Sequence, residues 1–179
     1  MTTELVTRRA GLPDLDALLH HVAVGFDSYV EFAPPGWRPP LDVRTRREWE
    51  ADVLADPATW ALVALADDAP VGHVAFIPAR ERRAQDARAA WQTRPLIAGL
   101  AHLWQLFVLP DWWGRGVAPR LHDAAIVEMQ AQGYASARLF TPSQHARARR
   151  FYERRGWKAV DDAWNEDLAL PLTEYLLVL

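Results

Sequence analysis

The sequence predicts a single α/β domain, with a mixed central sheet of about seven strands flanked by about four helices. The chain has 179 residues, half of them hydrophobic, and no Gly/Ser linker divides it, so we expect residues 1–179 to form one domain with a sizeable core. Segments with the 3.6-residue spacing of helices alternate with short apolar segments that are typical of strands. Connections of hairpin length come first and crossover helices come later, which indicates antiparallel pairing early and parallel pairing late.

The N-terminal half predicts a strand, two helices and a hairpin, in that order. The strand at 5–9 ends at a Gly/Pro break, and a helix follows whose apolar residues recur at helical spacing up to Phe26. A Pro-rich connection cannot be helical and leads to a second, charged helix. Two apolar strands joined by a turn at 67–69 then form a hairpin. The predicted bounds are 33–40 for the connection, 43–55 for the second helix, and 60–66 and 70–77 for the hairpin strands.

The C-terminal half predicts four further strands and two helices. An apolar strand lies at 101–109, and the helix that follows it ends at Gly133. A Thr, a Pro and a Gln within 141–144 have the spacing of a capping box and predict the start of the last helix, which Gly156 ends. The Ala/Arg/Gln-rich stretch 80–91 is expected to be an exposed helix or an excursion. The predicted bounds are 116–132 and 141–155 for the helices, and 137–140, 157–160 and 174–179 for the other strands.

Composition excludes several functional classes. The chain has 20 Lys and Arg against 23 Asp and Glu, a net charge of −3, and so lacks the basic character of a general nucleic-acid binder. It has no cysteine, which excludes disulfides, thiolate zinc sites and a cysteine nucleophile, and no His/Asp/Glu cluster has metal-ligand spacing. The N-terminal segment lacks the apolar core of a signal peptide, and no apolar run is long enough to span a bilayer. We therefore expect a cytoplasmic protein with no metal and no nucleic-acid or membrane partner.

The most informative segment, 106–118, contains the end of a strand, a sharp turn with two glycines and the start of a helix. Such a turn presents backbone N–H groups at a helix N-terminus, where the partial positive charge favours phosphate. Glycine is needed because a side chain would block the close approach of a diphosphate. Pro119 fits the first helical turn, where an N–H is not required. The segment predicts a phosphate site; the alternative is an ordinary strand-to-helix turn.

Two spaced motifs lie in the C-terminal half of the chain. The first motif is Val108-Leu109-Pro110 followed by Trp-Gly-Arg-Gly-Val-Ala at 113–118. The second has His at 145 and Ala at 148, followed by Phe-Tyr at 151–152 and Gly-Trp at 156–157. In order and spacing they resemble the motifs of the GCN5-related N-acetyltransferase (GNAT) superfamily. The predicted element order of the whole chain agrees with that fold. Two residues depart from the family pattern: Trp113 stands where the family has Gln or Arg, and His145 where it has Asn.

The resemblance implies acetyl-CoA as the cosubstrate. Backbone groups at the end of the strand would pair with the pantetheine arm, and the N–H groups of the glycine turn would hold the pyrophosphate, with Arg115 adding charge. Arg149 or Arg150 would reach the nucleotide phosphate, the alternative for either being a solvated basic helix face. The expected cofactor-binding residues are Phe107, Val108, Trp113, Gly114, Arg115, Gly116, Val117, Ala118, His145 and Arg149.

The implied reaction, acetyl transfer to an amine, involves two proton transfers. An amine is protonated at neutral pH and must lose a proton before it attacks, and the departing thiolate leaves better when protonated. Tyr152 matches the family tyrosine near the sulfur and is the expected acid, the alternative being a core aromatic. His102 is the expected base, as in the family's arylalkylamine branch, and histidine titrates near neutrality; the alternative is a water relay. Period two would place on one face His102, Trp104, Leu106 and Val108.

By the same resemblance, the first two helices and their connection form most of the acceptor pocket. The expected substrate-binding residues are Tyr29, Trp37 and Trp104, which would give the pocket an aromatic wall suited to a small amine with apolar bulk. The remaining histidines have no comparable context and are expected to be structural or on the surface: His20, His21, His73 and His122.

The predicted function is an acetyl-CoA-dependent N-acetyltransferase that moves an acetyl group to a primary amine of a small molecule by direct attack in a ternary complex. Two alternatives stay open. The departures at Trp113 and His145 favour a catalytically silent acyl-CoA-binding sensor domain, and the family also suggests a peptide or protein N-terminal acetyltransferase. A homodimer is the candidate assembly. Of nine tryptophans, four fall near the expected site: Trp37, Trp104, Trp112 and Trp113.

Overall fold

Seven strands form one mixed sheet, with helices on both faces, in the residues that the computed structural model describes: 4–39, 47–81 and 93–179. The strands are β1 (Leu5–Arg9), β2 (Trp60–Ala66), β3 (Ala69–Arg80), β4 (Leu96–Val108), β5 (Ser136–Pro142), β6 (Lys158–Asn165) and β7 (Leu170–Val178). The helices are α1 (Leu15–Asp27), α2 (Arg47–Ala55), α3 (Val117–Ala131) and α4 (Ala146–Glu153). The predicted fold class is therefore confirmed, as are the expected seven strands and four helices.

The strands follow one another across the sheet in the order β1-β2-β3-β4-β5-β7-β6. β4 and β5 are parallel neighbours joined by the crossover helix α3, and the other neighbouring pairs are antiparallel. Antiparallel pairing early in the chain is thus confirmed. Parallel pairing late holds for one pair only, because β7 lies between β5 and β6 and runs antiparallel to both.

The boundaries differ most from prediction where a strand extends beyond its apolar run. Thr141 and Pro142 do not begin a helix, as the capping-box spacing predicted; they continue β5 and pair with Thr173 and Leu172 of β7. α4 begins after His145 and has no side-chain cap. The predicted helix residues at 43–46 and most of the predicted excursion, 82–91, lie outside the described residues.

Two hydrophobic clusters hold the helices on opposite faces of the sheet. The larger lies under α3 and α4, and its fully buried members include Phe76, Leu121, Met129, Leu139 and Trp157. The smaller lies under α1 and α2 and contains Leu15, Leu19 and Val22, with Leu54 and Phe107 packed against them. Each such buried side chain stabilises the fold by about 1.5–3 kcal/mol. Within the described ranges, no helix has the length and apolar character needed to cross a bilayer.

A β-bulge in β4 changes which side chains share a face. The register between β3 and β4 shifts by one residue, and Trp104 is the extra residue without a partner in β3. The prediction that His102 and Trp104 share a face with Leu106 and Val108 is therefore wrong. Leu106 and Val108 pack against the larger cluster, whereas His102 lines a cavity on the side of α1 and α2.

Candidate active site

The parallel neighbours β4 and β5 separate in the middle of the sheet. They pair only where 100–102 meets 136–138, yet β4 stays paired with β3 up to Val108 and β5 stays paired with β7 up to Pro142. The edge of β4 beyond His102 therefore faces a gap with its backbone N–H and C=O groups. Such an open edge is suited to an extended ligand that carries amide groups.

Two cavities adjoin at this gap. The smaller, of about 120 Å³, lies between β4, β5 and the start of α4. The larger, of about 220 Å³, lies between the sheet and the helices α1 and α2. Both cavities are lined by the aromatic residues Tyr29, Trp104, Phe107 and Phe140. Molecules bound in the two cavities would therefore meet beside these rings.

The glycine turn lies between β4 and α3. Gly114 and Gly116 have φ angles of +74° and +80°, in the left-handed region where other residues are strained. A Cβ atom at either position would meet no protein atom within 4 Å, so the space beside the turn is open to a ligand. The first hydrogen bond of α3 joins the Arg120 N–H to the Gly116 carbonyl, and the preceding N–H groups point out of the helix N-terminus. This geometry fits a phosphate group.

Trp113 fixes the end of β4 beside this turn. Its indole Nε1 donates to the Val108 carbonyl at 2.7 Å, which uses one lone pair of a carbonyl expected to contact pantetheine. The guanidinium of Arg147, in α4, lies 3.3 Å over the Trp113 ring. Burial lowers the pKa of Arg147, but an arginine stays charged at neutral pH. Sequence reasoning missed Arg147, because no motif position marks it.

The rest of the expected phosphate site lies on the same turn. The exposed guanidinium of Arg115 lies 5.2 Å over the Trp112 ring. Val117 is fully buried in the larger cluster, so only its backbone N–H can serve a ligand, and Ala118 is half-buried in the first turn of α3. A cationic side chain and a run of backbone N–H groups thus lie together at this turn.

Tyr152 and His145 line the smaller cavity from α4 and its N-cap. Burial, together with the nearby phenol of Tyr29, raises the pKa of Tyr152, which therefore stays protonated at neutral pH. The His145 ring stacks on Phe32 with centroids 4.6 Å apart. Burial and the charge of Arg147 lower the pKa of His145 to about 4, so its imidazole is neutral.

Arg149 is bonded within the fold. Its Nε donates to the Tyr175 hydroxyl at 2.9 Å and its Nη1 donates to the Ser143 carbonyl at 3.0 Å. The Glu153 carboxylate lies 3.7 Å from the same Nε. Contact of Arg149 with a nucleotide phosphate stays a prediction; in the structure two of its guanidinium nitrogens are bonded within the fold, so it is not the solvated basic side chain of the alternative.

His102 lines the larger cavity and is half-buried. Its Nδ1 lies 3.3 Å from the Arg138 carbonyl, and its ring meets the Phe140 ring edge-on at 5.4 Å. A neutral imidazole that directs Nδ1–H at a carbonyl has its lone pair on Nε2, as a proton acceptor requires. The two expected catalytic residues thus lie in adjoining cavities, His102 in the larger and Tyr152 in the smaller.

The expected acceptor-side residues separate into two groups. Tyr29 and Trp104 line both cavities, and Trp49 meets Trp104 edge-on at 5.2 Å. Trp37 lies outside the described lining of both cavities; its Nε1 donates to the Leu168 carbonyl at 2.8 Å, and its ring lies 6.3 Å from that of Tyr29. Trp37 thus ties the loop after α1 to the β6–β7 turn, and its contact with an acceptor stays a prediction.

A chain of buried polar groups runs from the larger cavity into the fold. Glu50 of α2 lines the cavity, and its two carboxylate oxygens lie 3.2 and 3.3 Å from Nε2 of Gln105. Gln105 Oε1 lies 2.9 Å from His73 Nε2, His73 Nδ1 lies 3.0 Å from His21 Nδ1, and His21 Nε2 lies 3.3 Å from the Pro70 carbonyl. The four side chains are each at most 7% exposed. We call this set the Glu50–Pro70 chain.

Sequence reasoning did not identify the Glu50–Pro70 chain. It singled out neither Glu50 nor Gln105, and it left His21 and His73 as structural or surface residues. The signal in the sequence is a Gln and a His inside otherwise apolar strands, since buried polar side chains need partners. The other two histidines of that group differ: His20 is exposed, and buried His122 accepts from the Trp157 indole at 3.0 Å. Among 4–39, 47–81 and 93–179, no three His, Asp or Glu side chains are grouped to hold a metal ion.

Comparisons with known proteins give one family match and a set of structures that share the fold. The profile described as the acetyltransferase (GNAT) family matches residues 25–157. Similar solved structures include the PaiA N-acetyltransferase from Thermoplasma acidophilum in complex with coenzyme A (TM-score 0.68, 17% identity, 96% of this chain and 98% of that chain). Another is the ribosomal-protein-alanine N-acetyltransferase from Brucella melitensis (TM-score 0.69, 20% identity, 97% of this chain and 99% of that chain). No curated protein sequence gives a significant match. At these identities the structures show a shared fold.

Proposed function

The chain belongs to the GNAT acetyltransferase family, and from that premise we propose that it transfers an acetyl group from acetyl-CoA to the primary amine of a small molecule by direct attack in a ternary complex. The pair of adjoining cavities carries the proposal. One follows the open edge of β4 toward the glycine turn, and the other has aromatic walls and lies beside α1 and α2. A thioester in the first and an amine in the second would meet without leaving the protein.

The residues proposed to hold acetyl-CoA match its chemistry. Backbone groups of Phe107 and Val108, on the open edge of β4, would bond the amides of the pantetheine arm. The N–H groups of 114–118 would bind the pyrophosphate, with the charges of Arg115 and Arg147 nearby. Acetyl-CoA supplies the acetyl group as a thioester. The open space beside both turn glycines supports this placement.

The size and lining of the larger cavity support a small acceptor. At about 220 Å³ it is closer to a single small molecule than to a peptide segment. Its aromatic lining residues are Phe26, Tyr29, Trp49, Trp104, Phe107 and Phe140. These rings favour an amine with an apolar or aromatic body, which can be stabilised by burial and by cation–π contact.

The reaction changes the proton count at the acceptor nitrogen. An ammonium has three N–H protons, and the amide product of a primary amine has one. We assign to His102 the acceptance of a proton through Nε2, and to Tyr152 the donation of a proton toward the departing sulfur. Because burial raises the pKa of Tyr152, its phenol is protonated at neutral pH and carries the proton that the departing thiolate needs.

Binding and turnover test this function together. We expect calorimetry to show CoA binding, and a thiol-release assay with acetyl-CoA to show turnover with members of a panel of small primary amines. His102→Ala is expected to lower kcat by about 10²–10⁴-fold and to change the pH–rate profile, because the base is lost. The matched control is His20→Ala, an exposed histidine on α1, which is expected to leave turnover unchanged.

Four outcomes would contradict the proposal or one of its assignments. A protein that does not bind CoA lacks the proposed cosubstrate site. CoA binding without turnover across the panel would instead support the sensor domain. Turnover confined to peptide N-termini would support a peptide or protein acetyltransferase. Unchanged turnover and pH profile in His102→Ala would remove His102 as the base and leave water as the relay.

A further inference from the structure

The Glu50–Pro70 chain has a direction, because each group can donate only where the next can accept. An ionised Glu50 only accepts, so Gln105 presents its Nε2 to Glu50 and its Oε1 to His73. His73 then donates from Nε2 and accepts at Nδ1. His21 must therefore donate from its own Nδ1, which lies 3.0 Å away.

In this first arrangement the far end of the chain is unsatisfied. A neutral His21 with its proton on Nδ1 has a lone pair on Nε2, and that lone pair faces the Pro70 carbonyl at 3.3 Å. Only a doubly protonated His21 could donate to this carbonyl. Burial lowers the pKa of His21 to about 4, which opposes that charge. An ionised Glu50 therefore leaves one unfavourable contact inside the fold.

A second arrangement satisfies every link with neutral groups. His21 donates from Nε2 to the Pro70 carbonyl, His73 donates from Nδ1 to His21, and Gln105, with its amide oxygen and nitrogen exchanged, donates to His73. The Gln105 oxygen then faces Glu50, which must carry a proton to donate to it. The two arrangements differ in whether Glu50 is protonated, so ionisation of Glu50 and the direction of the chain are coupled.

We propose that Glu50 accepts the proton that the acceptor ammonium releases before attack, and that Gln105, His73 and His21 position it by reversing the direction of their hydrogen bonds. The inference rests on the proposed function, since the acceptor lies in the larger cavity that Glu50 lines. The chain stabilises the protonated carboxyl, because each link from Glu50 to the Pro70 carbonyl then joins a donor to an acceptor. Glu50 is thus a catalytic residue, and the other three are positioning residues.

Other charged groups set the pH at which Glu50 is protonated. Those that line the same cavity from β3, β4, β5 and the adjoining loops are Arg80, Glu81, Arg94, His102, Arg138 and Asp167. On α2 the charged neighbours are Arg47, Glu48 and Asp52, and His20 acts on His21. These charges stabilise or destabilise an ionised Glu50. They shift the pH at which Glu50 gains its proton. The coupling of that proton to the direction of the hydrogen bonds follows instead from the donor and acceptor atoms of the Glu50–Pro70 chain.

Two protons leave the acceptor nitrogen during the reaction, and each has an acceptor in the larger cavity. The ammonium gives the first to the Glu50 carboxylate and becomes a neutral amine. As the N–C bond forms and the C–S bond breaks, the second passes to His102. The Tyr152 phenol protonates the thiolate and regains its proton from the His102 imidazolium. Glu50 then releases its proton to solvent, so the products are an amide, the CoA thiol and one proton.

Glu50→Gln tests the catalytic role. For the amine acetylated fastest in a panel of 2-phenylethylamine, tryptamine and putrescine, we expect kcat/KM to fall by about 10²–10⁴-fold and its pH profile to lose one ionisation on the acidic side. The CoA dissociation constant is expected to stay within about twofold of the wild-type value, since Glu50 lines the larger cavity and not the smaller one. The control is Glu48→Gln, the same change at an exposed position of α2; loss of its charge can shift the acidic ionisation, but that ionisation should remain and kcat/KM at the pH optimum should match the wild type. A wild-type pH profile in Glu50→Gln would overturn the proposal.

Nitrogen-15 NMR of the histidine rings tests the coupling in the wild-type protein and needs no acceptor. We expect His73 to carry its proton on Nε2 at high pH and on Nδ1 at lower pH, with the change at the pH of the acidic limb. In Gln105→Met, which interrupts the chain, the His73 tautomer should no longer follow that pH. One His73 tautomer across the whole pH range in which the protein is folded would overturn the inference. CoA binding and wild-type turnover report separately on the proposed function.

Discussion

Trp113 combines a polar and an aromatic contact at one position. Its N–H bonds the last carbonyl of β4, and its ring face lies under the guanidinium of Arg147. A Gln at this position could make the first contact but not the second. A cation–π pair contributes about 0.5–2 kcal/mol. Trp113, in place of the family's Gln or Arg, thus holds the positive charge of Arg147 beside the glycine turn.

Two substitutions of Trp113 separate these contacts. Trp113→Phe is expected to lower the free energy of unfolding by about 1 kcal/mol, because the Val108 carbonyl loses a donor, while Arg147 keeps an aromatic ring to stack on. Trp113→Ala removes both contacts and is expected to weaken CoA binding by about 5-fold, the factor for about 1 kcal/mol. Urea unfolding and calorimetry measure the two effects, with half-exposed Trp164→Phe as the control. Equal CoA affinity in both Trp113 variants would contradict the role of Arg147.

The helix α1 lies close to β4 because it has a glycine at the contact. A Cβ atom on Gly25 would lie 2.3 Å from Cδ1 and 2.5 Å from Cε1 of Phe107. The Phe107 ring is also bounded by Phe26 and His73, with centroids 5.8 and 5.9 Å away. Phe107 lines both cavities, so this helix–strand contact positions the place where they adjoin.

Gly25→Ala has two opposite effects on the free energy of unfolding: higher helix propensity raises it, and overpacking against Phe107 lowers it. Alanine favours a helix over glycine by about 1 kcal/mol. Overpacking against the Phe107 ring costs about 1–3 kcal/mol, and we expect it to dominate, so that the variant unfolds at a lower urea concentration. In a Phe107→Leu background the same substitution should cost less, because the rigid ring is gone. A Gly25→Ala protein more stable than the wild type would show that the ring moves freely.

Across the whole molecule, buried neutral histidines make stability depend on pH. Burial lowers the pKa of His21 and, with the charge of Arg147, that of His145 to about 4; burial and the adjacent His21 lower the pKa of His73 to about 3. Burial also lowers the pKa of His122. Between these values and the unfolded value of about 6.5, the unfolded chain binds protons that the folded chain does not.

Stability should therefore be complete above about pH 6.5 and decline as the pH falls toward about 4. Urea unfolding at pH 7.5, 5.5 and 4.5 measures the decline, whose slope approaches about 1.4 kcal/mol per pH unit for each neutral histidine in that window. His20→Gln, a change at an exposed histidine whose charge is a minor cause of the lowered His21 pKa, should reduce the slope only slightly. Equal stability at the three pH values would show that the buried histidines bind protons without cost.

The sequence predicts turns whose backbone a few adjacent residues determine. It does not predict features that depend on which distant residues pair in the fold. The glycine turn and the Asp67–Asp68 hairpin turn are visible because a few adjacent residues determine their backbone, with φ of +48° and +64° in the hairpin turn. The bulge at Trp104 depends on the register with β3. The Glu50–Pro70 chain joins residues 55 and 52 positions apart, and no local pattern contains both partners. The capping-box spacing at Thr141 was overridden by the ladder with β7.

The separation of β4 from β5 also divides the sheet mechanically. Four strands, β1 to β4, form one half and three strands, β5 to β7, form the other, and the halves share a seam of three paired positions. An extended ligand in the gap would lengthen that seam and stiffen the junction between the halves. Binding of the ligand would then raise the free energy of unfolding, by about 2.7 kcal/mol at a ligand concentration 100 times the dissociation constant. In such a molecule the cosubstrate is also a structural element of the sheet.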